Sequence, residues 1–184
     1  SQGHFGGCDM IGHYKYTEKE LDELIHSMVI LVDTREKVND HILQYFEKAK
    51  VQYKKKALKY GDYSFYIPQN ESLSIYRDSY FDKQIVIERK GSLEELSGNL
   101  TKERDRLEKE LCLAPSSKVL VVENATYGDM VSGNYDTKYN NKSYWASIHS
   151  FWHKYQIPII FLKDKSYTGF FIRGYFEYFL RNKL

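Results

Sequence analysis

The strongest constraint on this chain is a set of short apolar runs that stop abruptly on charge. "MVILVD" covers residues 28–33, "IVIERK" 85–90, "KVLVVEN" 118–124 and "IPIIFLK" 157–163. Each is short and almost continuously apolar, the signature of a strand buried on both faces. Helical patterns lie between and around them. Thr17 and Glu20 have the spacing of a capping box for a helix over 17–27. "NDHILQYFEKAK" has apolar residues at 42, 43, 45, 46 and 49, a helical spacing. Ser92 and Glu95 repeat the capping-box signal for a helix running to about Leu113, with Gly98-Asn99 as a weak point or break. A further helix is expected over "NNKSYWASIHSFWHKYQ", with Trp145, Ile148, Phe151 and Trp152 as its apolar stripe. "YTGFFIRGYFEYFLRNKL" closes the chain as a strongly apolar helix. Val51–Leu58 and "DYSFYI", ending at Pro68, add two strands, and residues 69–82 form a long polar loop. This order predicts an α/β fold with a mixed β-sheet flanked by helices.

With 184 residues, 42% of them hydrophobic, the chain suits one compact domain. The glycine-rich opening, residues 1–9, reads as an appended remnant ahead of Met10, and 10–184 as a single domain. Setting Cys8 aside with that remnant leaves Cys112 alone. A disulfide framework and a cysteine zinc site are thereby excluded, and a cytoplasmic setting is expected. No stretch approaches a membrane span of roughly 20 apolar residues. No G-x-x-x-x-G-K-[ST] loop is present, so no nucleotide cofactor is expected. His149 and His153 are four apart, but "HSFWH" lacks the glutamate of a zinc helix. The net charge of +2 excludes a general polycation. Residues 48–59 nevertheless carry six lysines and no acid. That patch, with Lys54, Lys55 and Lys56 at its centre, suits either a phosphate backbone or plain solvent. "NYDTKYNNKSYW", 134–145, is either a DNA-contacting loop or a polar connection.

The charges that end the apolar runs suggest chemistry. Side chains two apart on a strand share a face, so Glu88 and Lys90 point one way and Arg89 the other. Asp62, after Gly61, and Asp33, at the end of "MVILVD", also stand where a buried strand meets solvent. Charges there cost several kcal/mol each unless paired or bound to metal. A structural ion-pair network answers that cost equally well. The functional answer is a pair of carboxylates binding a hard divalent cation, with a lysine beside them to steady charge on a phosphoryl group.

"VDTRE", then "GDYSF", then "VIERKGSLEEL" in this order resembles the XPF-like nuclease domain of the PD-(D/E)XK, restriction-endonuclease-like group. The resemblance covers about residues 29–165, and the domain also looks like the stand-alone versions carried by bacteria and their phages. It implies a restriction-endonuclease-like fold and a metal-dependent DNA endonuclease of the bacterial or phage-infected cytoplasm, serving repair or recombination. Asp62 and Glu88 would hold Mg²⁺ or Mn²⁺, with the Arg89 carbonyl as a further donor. Lys90 would be the catalytic lysine and Asp33 a further active-site acid. Arg35, Glu36 and Arg89 would support them, and Glu94 stands where the family carries an aspartate. Glu123 matches a further acid of the family, set back from the site. Arg104, or less readily Arg106, would meet the scissile strand, and Lys54, Lys55 and Lys56 would position the backbone. The expected substrate is branched or partly single-stranded DNA. The expected assembly is a homodimer, its last helix either packed on the sheet or paired with a second copy. The rival reading is a catalytically inactive relative that binds DNA or a protein partner.

Overall fold

The computed structural model describes residues 15–184. The remnant expected at residues 1–9 and the domain start at Met10 lie outside them. Helix α1 (Glu18–Ser27) opens on the expected capping box: Thr17 Oγ1 accepts from the Glu20 amide, and Glu20 Oε1 accepts from the Thr17 amide. Strand β1 (Val29–Val32) is buried throughout, α2 (Asp40–Lys48) follows, and β2 (Gln52–Lys55) lies exposed at the sheet edge. Then come β3 (Tyr63–Ile67), a 3₁₀ turn (Glu71–Leu73) and the short β4 (Ser79–Tyr80) inside the polar loop. β5 (Ile85–Lys90), α3 (Leu93–Thr101), α4 (Arg104–Leu113) and β6 (Ser117–Glu123) form the middle of the chain. It finishes with α5 (Tyr127–Ser132), α6 (Asn141–Tyr155), β7 (Ile159–Leu162), a second 3₁₀ turn (Lys165–Tyr167) and α7 (Thr168–Lys183).

The strands form one mixed sheet of seven, in the order β2-β1-β3-β5-β6-β7 with β4 beside β3. β3 runs antiparallel to β1 and β5, whereas β5, β6 and β7 are mutually parallel. The period of two divides each strand between two cores. Ile85 and Ile87 face Ile42 and Phe46 of α2 and Ile172, Phe176 and Leu180 of α7. Leu120 and Val122 face Leu96, Leu100, Leu107 and Leu111 of α3 and α4, and Ile148 and Phe151 of α6.

Three expectations need correction. The helix after Ser92 does not break at Gly98-Asn99. It continues to Thr101, and Lys102 and the Glu103 amide then fold back onto the Gly98 carbonyl before α4 starts. Trp145 and Trp152 are exposed, because α6 is rolled so that Tyr144, Ser147, Ile148 and Phe151 face inward. Tyr144 tolerates burial because its hydroxyl donates to the Leu93 carbonyl at 2.7 Å. α5 was not expected at all. The last helix packs on the sheet through Ile172, Phe176 and Leu180, and Gly169 lets it approach α2 so closely that a Cβ there would meet the Tyr45 ring at 2.5 Å. No helix among the described residues is long and apolar enough to cross a membrane.

Candidate active site

Gly61 explains where Asp62 sits. Its φ of 77° lies in the left-handed region, and a Cβ there would stand 2.7 Å from Val86 Cβ. With glycine in place, the chain drops onto β5. The Asp62 amide donates to the Ile87 carbonyl at 2.8 Å, and its own carbonyl accepts from the Asp33 amide at 2.9 Å. Asp62 is therefore fastened by its backbone to both neighbouring strands before its side chain does anything. Its Oδ2 then accepts from the Arg89 amide at 2.8 Å.

Glu88, 7% exposed, comes from the same side of the sheet. Asp33, Arg35, Lys59, Asp62, Glu88 and Lys90 line one cleft of about 440 Å³. Its opposite wall is α4, which contributes Arg106, Lys109 and Glu110. Burial, then the negative charge of Glu36, raises the Asp62 pKa to about 6. Burial, then Asp62, then a hydrogen bond with Glu110, pushes the Glu88 carboxyl well above the usual range. The Lys90 ammonium works against both shifts without cancelling them. Asn99 Oδ1, in the same cleft, is the one buried side-chain oxygen or nitrogen among the described residues without a hydrogen-bond partner.

The other expected residues divide sharply. Both oxygens of Asp33 are committed within the protein: Oδ1 accepts from the Leu58 amide at 2.8 Å, and Oδ2 from Arg35 Nε at 2.9 Å. Arg35 also donates to the Leu58 carbonyl. Asp33 thus ties the end of β1 to the segment leading into Gly61. Glu36 and Arg89 meet on the far side of β5. Arg89 Nε donates to Glu36 Oε2 at 2.7 Å, and Arg89 Nη1 to Glu123 Oε1 at 2.5 Å. Tyr63 donates to Glu36, and Thr168 to Glu123, while His41 Nε2 lies 2.6 Å from Glu123. Burial opposes ionisation of Glu123, but the hydrogen bonds from Thr168, His41 and Arg89 hold its carboxyl below the ordinary range.

Glu94 turns away from the cleft. Its Oε1 accepts from the Asp136 amide at 2.9 Å, which with other hydrogen bonds lowers its pKa and anchors the loop before α6. Arg104 is also engaged elsewhere, with Ser147 at 3.0 Å and the Phe151 ring at 5.1 Å, whereas Arg106 lines the cleft. Lys54, Lys55 and Lys56 lie at the sheet edge, outside the cleft, with Lys56 over the Tyr80 ring at 3.8 Å. Among the described residues no three His, Cys, Asp or Glu side chains form a metal-holding group, and His149 bonds Tyr127 instead. Sequence reading missed Glu110 and Lys109, and it took in Lys59 only as the end of the lysine run 48–59. The available signal was the spacing of Glu103, Arg106 and Glu110, three and four apart, which shares one helix face.

Against this geometry the comparisons are specific. The ERCC4 domain model matches residues 32–174. The chain belongs to the ERCC4 domain family. The match runs from the last residue of β1 into the first half of α7 and includes all three charged strand ends. ERCC4 membership agrees with the resemblance to XPF-like nuclease domains carried by "VDTRE", "GDYSF" and "VIERK". Among solved structures, XPF from Aeropyrum pernix superposes with a TM-score of 0.56 at 18% identity, covering 80% of this chain and 59% of that one. XPF from Aeropyrum pernix in complex with DNA superposes with a TM-score of 0.61 at 20% identity, covering 84% of this chain and 66% of that one. These likenesses fix the restriction-endonuclease-like fold of this ERCC4 domain. No curated protein matches the chain.

Proposed function

We propose that this ERCC4 domain is a metal-dependent DNA endonuclease acting on branched or partly single-stranded DNA. One observation carries the reading. Asp62 and Glu88 are held side by side in a cleft whose other cationic groups line its walls, and both carboxyls resist ionisation together. Two shielded carboxylates with too little positive charge between them suit a hard divalent cation bound through oxygen. The donor set therefore fits Mg²⁺ or Mn²⁺ held by Asp62 and Glu88. When bound, such a cation polarises the phosphate and favours the hydroxide form of nearby water.

The protein's own groups supply the rest. Lys90 shares the face of Glu88 and steadies the negative charge that grows on the phosphoryl oxygens as water attacks. Arg106 and Lys109, from α4, and Lys59, beside Gly61, meet the backbone phosphates on either side, which positions the strand without reading its sequence. Asp33 and Arg35 keep Gly61-Asp62 in place, and Arg89 fixes the Asp62 carboxylate through its amide. The homodimer belongs to the same reading. α7 packs one face on the sheet and leaves Phe170 and Tyr178 exposed, so that outer face, or the exposed Trp145 and Trp152 of α6, offers the contact, and sedimentation of the wild-type protein gives its mass.

The deciding experiment sets wild type beside Lys90→Ala on labelled duplex, single-strand, flap, fork and four-way-junction DNA, with Mg²⁺, Mn²⁺ or EDTA. Wild type is expected to cut the branched substrates only with a divalent cation. Lys90→Ala is expected to lose about 10²- to 10³-fold in rate while still binding DNA. Cutting that survives the substitution removes Lys90 from the mechanism, and binding without cutting by wild type favours the inactive-relative reading.

A further inference from the structure

A second cleft, of about 540 Å³, adjoins the first and shares Arg35, Asp62 and Lys90 with it. Val38 stands on its rim in an arrangement that packing alone does not explain. The residue is 86% exposed and has a φ of 51°, a left-handed conformation that a β-branched side chain adopts only under strain. The strain is imposed from both sides. Before Val38, the Lys37 carbonyl accepts from Arg89 Nη2 at 2.7 Å. After it, the buried Asn39 donates through Nδ2 to the Tyr63 hydroxyl at 3.3 Å, and its carbonyl receives the Ile42 amide at the start of α2. The residue following Glu88 thus helps hold an exposed apolar side chain rigidly beside the candidate site.

The surroundings say what such a side chain would meet. Lys37 and Lys165 line the same cleft and make no ion pair among the described residues. The acids Glu36 and Glu123 at its floor share Arg89 and turn their oxygens to it, to Tyr63, to His41 and to Thr168. A cationic rim with one fixed apolar projection suits a nucleotide whose phosphate meets lysine and whose base has left its stack. An apolar wedge beside a base step is a known means of exploiting unstacking.

We propose that this second cleft takes the nucleotide flanking the scissile phosphate, with Val38 packed against its unstacked base and Lys37 and Lys165 on its phosphates. The proposal rests on the nuclease reading above. It makes Val38 a specificity-determining residue that favours DNA in which a base beside the cut is already unpaired.

The test compares wild type, Val38→Gly and Val38→Leu. Glycine accepts the backbone angle without strain, so the Val38→Gly protein is expected to melt at or above the wild-type temperature. Its ratio of kcat/KM on a fork to kcat/KM on a continuous duplex is expected to fall about 5- to 10-fold, the worth of a partly buried valine. Val38→Leu is expected to keep the wild-type ratio. A 2-aminopurine placed beside the cleavage position of the fork is expected to brighten when wild type binds, and not when Val38→Gly binds. An unchanged ratio and unchanged brightening in Val38→Gly overturn the proposal while leaving the nuclease reading intact. A wild type that cuts neither substrate overturns both.

Discussion

β5 carries charge on both of its faces, and the two faces treat it in opposite ways. On the α2/α7 side, Arg89 is enclosed: Glu36 and Glu123 take its guanidinium, while Tyr63, His41 and Thr168 take the remaining carboxylate oxygens. On the α3/α4 side, Asp62 and Glu88 meet each other and Glu110, and Lys90 only partly offsets them. One network is complete and holds Glu123 towards its ionised form; the other lacks positive charge and holds Asp62 and Glu88 towards the neutral form. A cation belongs on the incomplete side, because carboxylates already held in a closed network have no capacity left for one. Buried charge in a sheet is thus a weak guide to function until its partners are known.

The contrast can be broken first on the closed side. Arg89→Met leaves Glu36 and Glu123 buried without compensation, and stability is expected to fall by about 3–5 kcal/mol in urea denaturation. A loss under about 1 kcal/mol would mean that the network carries little of the fold.

The open side answers to pH and metal. The folded-state pKa of Asp62, about 6, lies above its ordinary value of 3.8. The stability that this group contributes is therefore fully present below about pH 4 and lost as pH rises through about 6. Without divalent cations, thermal melts of wild type are expected to lose ground to Asp62→Asn between pH 5 and 7.5. Mg²⁺ or Mn²⁺ is expected to restore wild type at pH 7.5 and to do little at pH 5, where protons compete for the site. EDTA should reverse the gain, and equal metal effects on wild type and Asp62→Asn would remove Asp62 from the cation site.

The smallest effects separate two arginines. Arg106→Ala is expected to weaken DNA binding about fivefold and to lower the slope of log affinity against log salt by about one. Arg104→Ala, which loses contacts to Ser147 and Phe151, is expected to leave that slope alone. The reverse result would return the strand contact to Arg104.

What was legible in the sequence was what local chemistry decides. Thr17 with Glu20 and Ser92 with the Glu95 amide mark helix starts within four residues, and the apolar runs mark strands without reference to their partners. The pairing of Asp62 with Glu88 was legible only through motif order, because Gly61 brings them together by dropping the chain onto Val86. Glu110 was not legible and Arg106 ranked behind Arg104, since the face α4 presents depends on the break at residues 102–103. α5 is too short to show a period, although Thr126 and Asp129 do form its capping box. Glu94 was misplaced because the N-terminal turn of α3 points it towards Asp136, while Glu95, its neighbour, caps the Gly91 amide.

The hydrogen bond from Thr168 to Glu123 has a consequence for the order of folding. It closes a loop of 45 residues, and Glu123 in turn receives Arg89 from 34 residues earlier. Contacts so distant along the chain form late, after the local helices and turns. The strand that presents Glu88 and Lys90 is therefore locked in register only when the start of α7 has docked. A lesion at Thr168 is therefore felt at Glu88 and Lys90 through Glu123 and Arg89, although it stands far from them along the chain.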